Sequence, residues 1–173
     1  MKLDDDDFTV FGLEPRFALD RADLDARWRL LQGEVHPDHF AAEGAAAQRL
    51  AMQWAVRVNE AYRRLKDPLA RAAYLCEQRG AAIDAERNTA MPGAFLMQQM
   101  EWREALDEAG DPAAVEAIAE QLGRAERERF ERIARLLDVD GDATAAAAEV
   151  RAAMFVHRFR QDIERRLDAL EAR

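Results

Sequence analysis

The chain is poor in the residues that cross-link or interrupt a fold. Cys76 is the only cysteine among 173 residues, so no intramolecular disulfide can form and no cysteine metal cluster is encoded. Five prolines and eight glycines leave few breaks for helices. No run of alternating β-branched residues argues for a strand. No apolar run approaches the roughly 20 residues a membrane-spanning helix requires. The first residues, Met1-Lys2-Leu3-Asp4-Asp5-Asp6-Asp7, have neither the apolar stretch of a signal peptide nor the arginines of a transit peptide. An excess of basic residues is missing too. The net charge is −9, which argues against nucleic acid as the main partner. Together these absences predict a cytoplasmic protein with no nucleic-acid or membrane partner.

What remains is helical material. Apolar residues make up 49% and charged residues 34% of the chain, and Ala, Leu, Arg and Glu dominate. The predicted fold is all-α, with room for one or two cored domains. Charge is uneven between the halves. Residues 1–79 hold 12 Lys and Arg against 14 Asp and Glu, whereas residues 80–173 hold 13 against 20. An acidic second half suggests a surface facing a different partner, although solubility alone also accounts for it.

Leu24, Trp28, Leu31 and Val35 recur with helical period, and Leu50, Trp54, Val58, Ala61 and Leu65 repeat it on a second helix. Between them stands His36-Pro37-Asp38. Pro37 disfavours helical geometry at His36, so the first helix should stop there and a hairpin tip should display an imidazole and a carboxylate. Asp20 and the pair Asp67-Pro68 are placed to start helices. Gly80 to Gly93 lacks periodicity. The predicted division is therefore a first domain over 1–79, a connection over 80–91 and a second domain over 92–173.

In the second domain three stripes follow one another. Phe95, Trp102 and Leu106 share one sector of a helix. Val115, Ile118, Leu122, Ile133 and Leu137 mark the next, and Ala152, Val156, Phe159, Ile163, Leu167 and Leu170 the last. This pattern predicts an antiparallel three-helix bundle. If Phe95, Trp102 and Leu106 face the core, then Met97, Met100, Glu101, Glu104 and Glu108 gather opposite, with Leu96 on the shoulder. Exposed methionines beside glutamates suit an adaptable partner surface. Periodicity alone equally allows the methionines to belong to a wide core stripe.

The His36-Pro37-Asp38 turn, together with Asn59-Glu60-Ala61-Tyr62-Arg63-Arg64-Leu65-Lys66-Asp67-Pro68, resembles the J-domain family, whose members stimulate ATP hydrolysis by DnaK-type chaperones. A J domain followed by an acidic helical bundle containing Phe95-Leu96-Met97-Gln98-Gln99-Met100-Glu101-Trp102-Arg103-Glu104 is similar to the HscB co-chaperones of iron–sulfur cluster biogenesis. The resemblance implies that His36, Pro37 and Asp38 contact an HscA/DnaK-type chaperone ATPase. Arg27 and Arg29 would supply basic charge on the preceding helix, although they equally suit a solvated face. It also implies that Leu96, Met97, Met100, Glu101, Glu104, Glu108 and Phe155 bind the iron–sulfur cluster scaffold protein. Met100 stands where Leu is more usual, and Gly33-Glu34 and His39 replace residues that are commonly polar or basic.

Rival readings remain. A bare His-Pro-Asp can be only a helix-ending turn. A general J protein would carry a different client or self-associate through the methionine face. His36 and His39 could begin a metal site, but no cysteine is nearby and Pro37 interrupts their alignment, so no metal and no cofactor are expected. No phosphate-binding loop, nucleophile elbow or HExxH motif is present, and no enzymatic activity is predicted.

Overall fold

The computed structural model describes residues 2–36, 38–40 and 44–172. Helices account for the regular structure, and there is no β-strand among the described residues. The chain separates into two compact units, residues 1–75 and 76–173.

The first unit begins with a single helical turn, α1 (Asp7–Val10), capped by the Asp6 carboxylate, which accepts from the Phe8 and Thr9 N–H groups. Gly12 then turns the chain at φ +62, a left-handed conformation that favours glycine. Helix α2 (Arg21–Glu34) starts where Asp20 accepts from the Ala22 N–H at 2.8 Å, and it stops at Val35. Helix α3 (Ala45–Lys66) follows Gly44, whose φ of +94 reverses the chain without a side-chain cap. Helix α4 (Pro68–Gln78) opens on Asp67, which accepts from Leu69 and Ala70 at 2.8 and 3.1 Å, with Pro68 needing no donor. The α2/α3 hairpin and α1 enclose Phe8, Leu24, Val58, Ala61 and Leu65, all buried. Burial of each of the larger side chains contributes about 2 kcal/mol.

The stripe on α3 differs from the expectation at one end. Leu50 is 50% exposed, and Ala51 takes the buried place. Counting two turns back from Val58 reaches Ala51, whereas Leu50 lies about 100° further round.

Two features of this unit have no periodic signature. Asp7, in an acidic run, is fully buried between Arg57 and Arg64 at 2.7 and 2.8 Å, and its N–H donates to the Tyr74 hydroxyl at 3.0 Å. The buried Arg71 guanidinium donates to the Phe17 carbonyl at 2.9 Å and lies over its ring.

The second unit holds α5 (Gly93–Glu108), α6 (Pro112–Arg135) and α7 (Ala143–Glu171), which pack pairwise around one core. Asp111 and Asp142 cap α6 and α7, each accepting an N–H three residues on at 2.9 Å. A π turn, Leu136–Asp140, extends α6 and keeps Leu137 buried. All of Phe95, Trp102, Leu106, Val115, Ile118, Leu122, Ile133, Val156, Phe159 and Ile163 are buried, as the three stripes predict. Residues 81–91 carry no helix but are tied down. The buried Arg151 of α7 donates to the carbonyls of Ala90, Ala82 and Ile83 at 2.7, 3.4 and 3.3 Å.

Candidate functional site

The first candidate site is the tip of the α2/α3 hairpin. The two helices are joined below it. Trp28 stacks on Tyr62 with ring centroids 4.5 Å apart. The Asn59 side-chain oxygen accepts from Trp28 Nε1 at 3.0 Å and Gln32 Nε2 at 2.7 Å, and Tyr62 donates to Asp25 at 3.0 Å. These bonds join α2 to α3 below the tip. At the tip the backbone N–H of Asp38 donates to His36 Nδ1 at 3.3 Å. The His36 and Asp38 side chains approach only to 3.7 Å and both are exposed. That distance exceeds a hydrogen bond, so the Asp38 carboxylate keeps its acceptor sites for a partner. Pro37 lies outside the described residues.

Arg27 and Arg29 of α2 are not equivalent. They lie about 200° apart around the helix. Arg27 chelates Asp23 through Nε at 3.0 Å and donates to the carbonyls of Phe11 and Gly12, so its guanidinium secures the turn after α1. Arg29 is exposed, next to the exposed Leu30. Asp25, bonded by Arg21 and Tyr62, has its carboxyl held below the usual carboxylate range.

His39 stands one 3₁₀ turn beyond His36, with ring centroids 5.9 Å apart. No group of three or more His, Cys, Asp or Glu side chains is placed to hold a metal among the described residues. Among the same residues, no helix is long and apolar enough to cross a membrane.

The second candidate site is the outer face of α5. Phe95, Trp102 and Leu106 are buried, and the opposite sector is open. Leu96 is 43% exposed, Met97 68% and Met100 69%, which decides between core and surface for the methionines. Glu101, Glu104 and Glu108 are exposed along the same helix. Phe155, from α7, is half-buried beside them. Its ring meets Phe95 edge-on at 5.6 Å and stacks with Phe159 at 6.0 Å. Apolar atoms and carboxylates thus alternate over one helix, with a packed aromatic layer beneath.

A cavity of about 520 Å³ adjoins this face, lined by Phe95, Met97, Gln98, Glu101 and Arg129 among others. Arg129 is 2% exposed, lies 4.3 Å over the Phe95 ring and pairs with Glu149. Burial lowers the pKa of its guanidinium, and the Glu149 charge opposes that shift. Sequence reasoning had no signal for this ion pair, because its partners are twenty residues apart on two helices.

Residues 91–164 match a family model described as the HscB C-terminal oligomerisation domain. The chain is 51% identical over 160 residues to a co-chaperone protein HscB homolog of Bordetella pertussis, covering 92% of this chain and 94% of that one. Among solved structures it is similar to the chaperone HscB of Vibrio cholerae, at 36% identity and a TM-score of 0.86, over 95% of this chain and 99% of that one. Human co-chaperone HscB gives the same TM-score at 26% identity, over 95% of this chain and 83% of that one.

Proposed function

The chain belongs to the HscB family of J-domain co-chaperones, and on that premise we propose that it binds the iron–sulfur cluster scaffold protein and delivers it to an HscA/DnaK-type chaperone, whose ATPase it stimulates. The observation that carries the proposal is the exposure of Met97 and Met100 on a helix whose other side is fully packed. Large apolar side chains turned outward beside glutamates fit a partner that is apolar at its centre and basic at its margin. Leu96, Met97, Met100 and Phe155 form the apolar part of this surface. Glu101, Glu104 and Glu108 form the charged part.

Residues 1–79 act as the J domain and 92–173 as the scaffold-binding domain, with 80–91 connecting them. His36, Pro37 and Asp38 contact the chaperone. The exposed Asp38 carboxylate suits a charge-assisted, directional bond to a partner arginine. Arg29 adds charge from the open side of α2, and Arg27 from the side that braces α1. The protein is an adaptor in which no bond is made or broken. Holding the scaffold on the same chain as the J domain raises its effective concentration at the chaperone.

The test is steady-state ATP hydrolysis by the HscA-type chaperone, with and without this protein and with and without the scaffold. Stimulation by both together should exceed the sum of each alone and should disappear in Asp38→Ala at unchanged thermal stability. Stimulation that survives Asp38→Ala would reduce the tripeptide to a turn. A second reading has support in the description of the matching family model. An oligomerisation domain could self-associate through the α5 face. Sedimentation of the full chain separates the two, because a dimer dissociated by Met97→Ala with Met100→Ala would favour self-association.

A further inference from the structure

We infer that α2 docks on the chaperone through an apolar contact centred on Leu30, in place of a basic face; this rests on the reading of residues 36–38 as the chaperone-contacting tip. Leu30 is 65% exposed and takes no part in the core that Leu24 and Val35 fill from the same segment. A single exposed leucine is ordinary on a protein surface. What sets this one apart is the charge around it. Helix α2 holds Arg21, Arg27 and Arg29 against Asp23, Asp25 and Glu34, three of each sign. Arg21 pairs with Asp25 at 2.6 Å and Arg27 with Asp23 at 3.0 Å. That leaves Arg29 and Glu34, of opposite sign, on either side of Leu30 around the helix. A helix whose charges cancel offers a partner little net attraction. Its one large exposed apolar side chain among the described residues is Leu30, and that is the surface a partner can remove from water.

The surroundings of Leu30 leave it open to a second protein. Ala26 and Gly33 lie within about 60° of it around the helix, and both are exposed. Gly33 is helical, and a Cβ there would meet no atom within 4 Å, so nothing inside the chain calls for glycine. The helix surface beside Leu30 is therefore low, and a partner can close over the leucine. Position selects the occupant. Leu30 stands about one and a half turns before α2 stops at Val35, and residues 36–38 follow directly. A specific interface covers about 800 Å² of each partner, more than three tip side chains present. A chaperone seated on the tip therefore extends onto the adjoining helix, and its patch facing Leu30 is apolar and nearly uncharged.

The experiment titrates ATP hydrolysis by the HscA-type chaperone with the full chain and separates the half-saturating concentration from the maximal stimulation. Leu30→Ala should raise the half-saturating concentration about tenfold, the size of one leucine side chain buried at an interface. Maximal stimulation, melting temperature and scaffold affinity should not change. Leu30→Met should keep most of the affinity. Val139→Ala, at an exposed apolar residue of the second unit, should have no effect. Between about 50 and about 300 mM salt, the half-saturating concentration of the unaltered chain should move less than about twofold. Leu30→Arg should weaken docking throughout that range. A tighter and salt-sensitive complex with Leu30→Arg would show that the chaperone surface is acidic there and would overturn the inference. So would a neutral Leu30→Ala, a Leu30→Ala that lowers only the maximal stimulation, or a dimer of the full chain that Leu30→Ala dissociates. In each case the reading of the tip stands as long as Asp38→Ala removes the stimulation. Stimulation that survives Asp38→Ala overturns both.

Discussion

Asn59 and Trp28 are joined by a hydrogen bond of 3.0 Å between the carboxamide oxygen of one and the indole N–H of the other, at the centre of the α2/α3 hairpin. The same oxygen also accepts from Gln32 at 2.7 Å. One acceptor on α3 therefore fixes the rotation of α2 at two residues one turn apart. Asn59→Leu should destabilise the first unit by about 1–3 kcal/mol, because two half-buried donors lose their acceptor. Asn59→Asp keeps an acceptor and should cost less. Urea denaturation measures both, and equal costs would show that the acceptor is not what matters.

Asp7 tests a second buried arrangement. Its carboxylate sits between Arg57 and Arg64, the first mostly buried and the second half-exposed. Asp7→Ala leaves the more buried guanidinium without a counter-charge and should cost about 3 kcal/mol. Arg64→Ala should cost less, since its charge is already partly solvated. Chemical denaturation gives the order, and a larger loss for Arg64→Ala would contradict this assignment.

The methionine face makes the opposite prediction. Met97→Ala and Met100→Ala remove side chains that are mostly in water, so each should change stability by less than about 0.5 kcal/mol. Leu122→Ala, at a fully buried position, should cost about 3 kcal/mol. Scaffold affinity should fall in the first pair without unfolding. Thermal melts beside binding titrations separate the effects, and large melting shifts for the methionine variants would place them in the core.

Cys76 should be inert. The side chain is buried, and burial pushes the thiol up to about 11, with Arg79 and Arg151 pulling weakly the other way. The thiolate is the reactive form, so at pH 8 a disulfide reagent should modify the folded protein far more slowly than the unfolded one. Fast reaction in native buffer would show that the last turn of α4 opens readily.

Acid should loosen the first unit through its caps and pairs. Burial tends to raise the Asp6 carboxyl, but bonds from Thr9 and Phe8 outweigh it and hold the pKa down. The Arg21 bond does the same for Asp25. A carboxyl whose pKa is lower folded than unfolded stabilises fully above the unfolded value, and the benefit is lost as pH falls through the folded one. Both contributions should therefore be intact at neutral pH and disappear below about pH 4. Carboxyl titration by NMR checks the two sites, and a midpoint above the ordinary aspartate value at either would reverse the sign.

Much of the architecture was legible in residue spacing. The stripes from Leu24 to Val35 and from Val115 to Leu137 announced helices because burial of one face repeats every 3.6 residues. Asp20 and Asp67 announced where helices begin, because an unpaired N–H group needs a local acceptor. The end of α2 before His36 was visible because proline disfavours helical geometry at its immediate neighbour. The division of the α5 face was half legible. The angles grouped Met97 with Met100, but angle alone does not say how wide a core is.

What the sequence by itself determined is therefore local: helical class, helix starts, the hairpin tip and the residues that share a face. These depend on interactions within about one turn of chain. The tertiary structure decided the rest. It decided that Leu50 faces water and Ala51 does not, that Asp7 is a buried counter-ion for two arginines, and that Arg27 braces α1. Each of these is a competition between partners brought together from distant segments, and the outcome depends on which surfaces lose water when the helices pack.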